Sequence, residues 1–131
     1  SYRGGAPATG QPGHARGPSG MRNDRERLSD ILEAIRNIEK YAGAGKEPLQ
    51  KDELLQVWMV HHIQIIGEAS SGVTPGLRAH YPDVPWENII AMRNVLVHQY
   101  FGIDVDQLWD TILTDLPGMK KRVGEILDGL A

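Results

Sequence analysis

The chain has no cysteine. That excludes a disulfide framework, a thiolate metal site and a thiol nucleophile, and it fits a reducing compartment. No apolar run approaches the roughly 18 residues that a membrane span needs, and the N-terminal stretch lacks the apolar centre of a secretory signal. The expectation is therefore a cytoplasmic protein with no membrane contact. Basic charge is also short. Ser1 to Gly20 is a Gly-, Pro- and Ala-rich stretch without apolar periodicity, read as a disordered or vector-derived leader (1–20) ahead of one folded domain (21–131). It carries Arg3 and Arg16 of the 14 basic residues, so the remaining 12 face 17 acidic ones and the domain has a formal charge of −5. A broad cationic face that coats nucleic acid is excluded, and any RNA contact is confined to a small positive pocket. Strand-like alternation, a glycine-rich phosphate loop, a nucleophile elbow and a zinc signature are all missing too.

What is present is helical periodicity. Leu28, Ile31, Leu32, Ile35 and Ile38 form one stripe of a helix from about Asp24 to Tyr41, closed by Gly43-Ala44-Gly45. A second helix from about Asp52 to Ser70 is apolar on most sides and should be the central one. Thr74-Pro75 reads as an N-cap with proline in the first turn of a short helix. After the rigid turn Pro82 to Pro85, a further helix runs from Trp86 to Gln99 or Tyr100. Asp104 caps a last helix in which Pro117 should cause a kink or break. These segments predict an all-α antiparallel bundle of four to five helices, with surplus apolar surface that a homodimer would cover.

Chemistry concentrates in Arg93-Asn94-Val95-Leu96-Val97-His98-Gln99-Tyr100. An arginine can grip and neutralise phosphate through a planar fork of donors, and a histidine moves protons near neutral pH. The pair can therefore cleave a phosphodiester without metal or other cofactor. On the second helix His61, Gln64 and Glu68 form a polar stripe on an apolar rod. Glu68 is expected to be a buried or partly buried carboxylate that orients Arg93 or meets a helix terminus. His61 and His62 point about 100° apart, which argues against a metal site. His80 is expected on a surface loop, the three tryptophans in core or interface, and Arg22 to Arg27 and Lys120 to Arg122 on solvated faces.

The motif sits in a wider frame: Ile65-Ile66-Gly67-Glu68-Ala69, then Tyr81-Pro82-Asp83-Val84-Pro85-Trp86, then Ile90-Ala91-Met92-Arg93-Asn94, then His98-Gln99-Tyr100-Phe101-Gly102. From Met21 to Ala131 this arrangement resembles the HepT-like toxins of the HEPN superfamily. The resemblance implies a small helical homodimer that acts as a metal-independent endoribonuclease within a toxin–antitoxin system. Its expected partner is a minimal nucleotidyltransferase antitoxin of the MntA type, which transfers AMP to the motif tyrosine. By position, Arg93 and His98 become the catalytic pair, Asn94 the supporting polar residue after the arginine, and Tyr100 the modification acceptor. The competing expectation is a non-catalytic helical module that binds a nucleotide or docks a partner, since fold alone does not fix function.

Overall fold

The computed structural model describes the backbone of residues 17–97 and 104–130, and the side chains of residues 23–91 and 104–130. Every element among these residues is helical: α1 (Gly17–Ala42), α2 (Lys46–Lys51), α3 (Glu53–Gly72), α4 (Pro75–His80), α5 (Trp86–Val97), α6 (Val105–Asp110), a π-turn (Thr111–Asp115) and α7 (Leu116–Leu130).

In α1 the predicted stripe is the buried one. Leu28, Ile31, Leu32, Ile35 and Ile38 all lie in the core, while the charged positions between them face water. Burying each such side chain stabilises the fold by about 1.5–3 kcal/mol. The helix starts at Gly17, seven residues before the expected Asp24, because extending a formed helix costs far less than nucleating one. It stops where expected. The amides of Ala44 and Gly45 fold back onto the carbonyls of Tyr41 and Ala42, and Gly45 adopts φ 98°, a left-handed value that a side chain would strain.

The short α2 was not foreseen in the sequence. Pro48 falls in its first turn, where no amide is required, and Leu49 anchors it in the core. Asp52 closes α2 by donating its amide to the Pro48 carbonyl. It then opens α3 by accepting the amides of Leu54 and Leu55 at 3.0 and 3.3 Å.

Long-range bonds establish the helix directions. Asp24, near the start of α1, meets Thr74 just beyond α3, whereas Trp58, early in α3, donates its indole N–H to the Asn37 carbonyl late in α1 at 2.9 Å. The two helices are therefore antiparallel. Likewise Arg25 donates to the carbonyl of Leu130 at 2.9 Å, and Lys120 pairs with Glu39 at 2.9 Å, so α7 runs antiparallel to α1. The central helix is α3, which packs along both α1 and α5. The first turn of α5 lies beside α4, which directly follows α3, so α5 returns antiparallel along α3.

Pro117 has the effect expected of it in place but not in form. Between α6 and α7 the chain remains helical, and the Leu116 amide reaches the Thr111 carbonyl five residues back. In a regular helix the Pro117 ring would collide with the Leu113 carbonyl; widening the preceding turn relieves that clash without breaking the rod.

Candidate active site and its surroundings

The motif helix α5 is fixed at its N-terminal end. The Trp86 indole donates to the Tyr81 carbonyl at 3.0 Å, and Val84, Trp86 and Ile89 are all buried. From that anchor the helix advances about 1.5 Å per residue, which carries the backbone of Arg93 roughly 10 Å along α3. Arg93 and Asn94 thus belong to α5 by backbone, but their side chains fall outside the described set. His98 and Tyr100 lie outside the described residues altogether.

The polar stripe of α3 is real. His61, Gln64 and Glu68 line one pocket of about 300 Å³ together with Ile65, Ala69 and two residues of α1, Arg27 and Asp30. The expectation of a buried or partly buried Glu68 is corrected: the residue is exposed, because the stripe lies on a face of α3 that opens to solvent beside α1. Burial raises the Asp30 carboxyl above its ordinary pKa, with Arg27 opposing that shift and Glu33 and Glu26 adding to it. Arg27 also covers Gly72, where an added Cβ would come within 2.5 Å of its Nε. His61 is exposed, whereas His62 is buried with Nδ1 2.8 Å from the Trp58 carbonyl oxygen. The adjacent histidines therefore occupy different environments, with their rings edge-on at 5.0 Å.

Two arrangements escaped sequence reasoning. Asp24 belongs to a charged run that reads as solvated, yet it is buried and accepts both the amide and the hydroxyl of Thr74. Arg122, in the other such run, donates to Asp83 at 2.5 and 3.2 Å and to Glu125 at 3.2 Å, and its guanidinium lies 5.2 Å from the centre of the Tyr81 ring. Only the three-residue spacing of Arg122 and Glu125 was visible in the sequence. The hydrogen bond from Arg122 holds Asp83 below the usual carboxylate range. This ion cluster borders a groove of about 590 Å³ between the start of α5 and α7.

His80 ends α4 and is exposed, in a helix rather than a loop. Trp86 is buried, and Trp58 and Trp109 are half-buried against the core. Among the described residues no helix is long and apolar enough to cross a membrane.

Residues 31–126 match the family model described as "Ribonuclease HepT-like". A protein of Caldanaerobacter subterraneus subsp. tengcongensis named "Putative RNase" is 37% identical over 108 residues, covering 82% of this chain and 96% of its own. The "Probable ribonuclease HepT" of Thermococcus cleftensis is 36% identical over 102 residues, 77% of this chain and 93% of its own. A "Putative RNase" of Methanocaldococcus jannaschii is 33% identical over 97 residues, covering 73% and 89%. No solved structure matches. With the family model spanning most of the chain and relatives similar along nearly their whole length, the chain belongs to the HepT-like ribonuclease family.

Proposed function

We propose that this protein is a metal-independent endoribonuclease toxin whose Arg93 and His98 act at a cleft between two subunits. The observation that carries the reading is the extent of the family match, residues 31–126, which takes in the whole segment from Arg93 to Tyr100. The anchoring of α5 supports it, since a helix pinned by Trp86 and packed along α3 offers the rigid mount that a positioned acid–base group needs.

In the proposed reaction the 2′-hydroxyl of the RNA attacks the adjacent phosphorus and the 5′-oxygen departs, leaving a cyclic phosphate. His98 of one subunit takes the hydroxyl proton, and a protonated His98 across the dimer axis gives one to the leaving oxygen. Arg93 stabilises the extra negative charge on the pentavalent phosphorus. One histidine cannot fill both proton roles at once, so the dimer completes the site. Asn94, which follows Arg93, and the exposed Glu68 are assigned supporting roles in this reading.

Surface composition supports pairing of subunits. Tyr41, Leu54 and Val57 are 46%, 81% and 53% exposed, at the end of α1 and in the first turns of α3. Tyr41 also packs edge-on against Trp58, so these apolar groups extend from the core to the surface. A second copy covering them would remove that apolar area from water. The proposed partner is a minimal nucleotidyltransferase antitoxin that attaches AMP to Tyr100. A bulky nucleotide carrying a negative phosphodiester would block the cleft by volume and charge.

The test is cleavage of total cellular RNA and tRNA, in the presence of a chelator, by wild type, Arg93→Ala and His98→Ala. Each variant should lose activity by roughly 10²- to 10⁴-fold. Wild-type protein that cleaves nothing, or variants that cleave as wild type does, would favour a non-catalytic binding module.

A further inference from the structure

The groove between α5 and α7 has a specific chemical character. Its floor is apolar, formed by the buried side chains of Val84, Ile89 and Met119. Gly118 lies in its wall with open space where a Cβ would stand. The rim holds Asn88, Asp115 and Lys121, all exposed, whose side chains make no hydrogen bond or ion pair with another described residue. At about 590 Å³ it lies within the range of small-ligand sites, roughly 300–1,000 Å³.

Charge decides which part of a nucleotide could enter. Asp83, Asp115 and Glu125 against Lys121 and Arg122 give the lining a net charge of −1, and Arg122 is already engaged by Asp83 and Glu125. A phosphate is therefore disfavoured. A neutral, flat heterocycle with donors on one edge and acceptors on another suits the apolar floor and the mixed rim. Guanine matches best: its N1–H and N2–H present two parallel donors to a carboxylate such as Asp115, while O6 and N7 accept from the Asn88 amide or the Lys121 ammonium. Uracil has a single ring donor and cannot make the paired contact. Desolvation and the nearby charge of Asp110 raise the Asp115 pKa, and among the described residues no side chain donates to it.

We propose that this groove is a nucleobase subsite that takes a guanine of single-stranded RNA close to the bond cut at the motif. The proposal rests on the ribonuclease reading and adds a sequence preference to it. One wall of the groove is formed by α5, the helix whose backbone also carries Arg93. Sequence-selective RNA proteins commonly take up splayed, unpaired bases in this way.

Binding of nucleosides tests the groove without relying on catalysis. Guanosine, adenosine, cytidine and uridine would be titrated into the full-length protein, with backbone amide NMR shifts as the readout. Guanosine should move the amides of Asn88 and Gly118 and bind about tenfold more tightly than uridine. Asp115→Asn should erase that preference, and Gly118→Leu, which fills the groove while favouring helix, should abolish binding. The proposal is overturned by any of three results: no guanosine-dependent shift at these amides at millimolar concentration, shifts confined to another surface, or equal binding of all four nucleosides. Protein that cleaves RNA yet binds no guanosine would remove the subsite alone. Protein that binds guanosine here yet cleaves no RNA would remove the ribonuclease reading alone.

Discussion

Asp24 accepts two hydrogen bonds from a single residue fifty positions away, one from the Thr74 amide at 2.8 Å and one from the Thr74 hydroxyl at 2.6 Å. The same hydroxyl oxygen accepts the Leu77 amide at 3.4 Å and so caps α4. One buried carboxyl group thereby ties α1 to the connection that leads into the motif helix. Asp24→Ala should lower unfolding free energy by about 2–3 kcal/mol, because it removes both bonds and leaves the Thr74 amide without its acceptor. Thr74→Ala should cost about 1–2 kcal/mol through loss of the cap and the hydroxyl bond. Urea unfolding of both single variants and the double variant would check this. The effects should add to less than their sum, as expected for residues that share an interaction; strict additivity would show that the bonds do not couple the two helices.

Acid should act oppositely on two carboxyls. The hydrogen bond from Arg122 lowers the folded-state pKa of Asp83, so its stabilising contribution is complete above the unfolded value near 3.9 and is lost as pH falls through the lower folded value. Burial raises Asp115, so that residue contributes destabilisation that is absent in acid, sets in as pH rises past the unfolded value near 3.9 and is complete above the raised folded pKa. Asp83→Asn should flatten the loss of stability as pH falls below about 4. Asp115→Asn should be more stable than wild type near pH 7, with the gain shrinking on acidification. Unfolding midpoints across this range provide the measurement. The Asp83 effect should also fade with added salt, since the pair is exposed.

A charge placed on the exposed apolar patch should separate subunits. Leu54→Asp and Val57→Asp leave the core intact, because both side chains face water in the single chain. Each should shift the protein toward monomer in sedimentation velocity and lower RNA cleavage in parallel, while helix content stays constant by circular dichroism. A variant that stays dimeric and active would place the subunit contact elsewhere.

Co-expression with a minimal nucleotidyltransferase should add the mass of one AMP or more to the intact chain. Tyr100→Phe should prevent that gain and remain active when wild type is silenced. Mass addition to Tyr100→Phe would redirect the proposal to another acceptor.

Local signals were the legible part of this fold. The Leu28–Ile38 stripe, the glycines after α1, the start of the second long helix near Asp52, the Thr74 and Asp104 caps and the disturbance before Pro117 each depend on neighbours within about one helical turn. What stayed hidden depends on partners far along the chain. Asp24 looked solvated because nothing nearby hints at Thr74, and Arg122 looked solvated because Asp83 lies 39 positions before it. Glu68 misled for a related reason. A carboxylate in a strongly apolar helix suggests burial, but α3 keeps one outward stripe, and only the placement of α1 and α5 determines where that stripe lies. For the candidate site, the segment Arg93 to Tyr100 stood out by residue type alone, whereas the groove beside α5 needed the fold to bring Asn88 and Asp115 together.

The wide turn before Pro117 holds one residue more than a regular helix of the same rise would need. Such a turn is a point where length can change without moving what lies on either side. Leu108 before it, Ile112 within it, and Leu116 and Met119 after it all reach the core, while Leu113 is 56% exposed. The rod formed by α6 and α7 thus shifts its register once, and apolar residues on both sides of the shift face the core where α6 meets α3 and α7 meets α1.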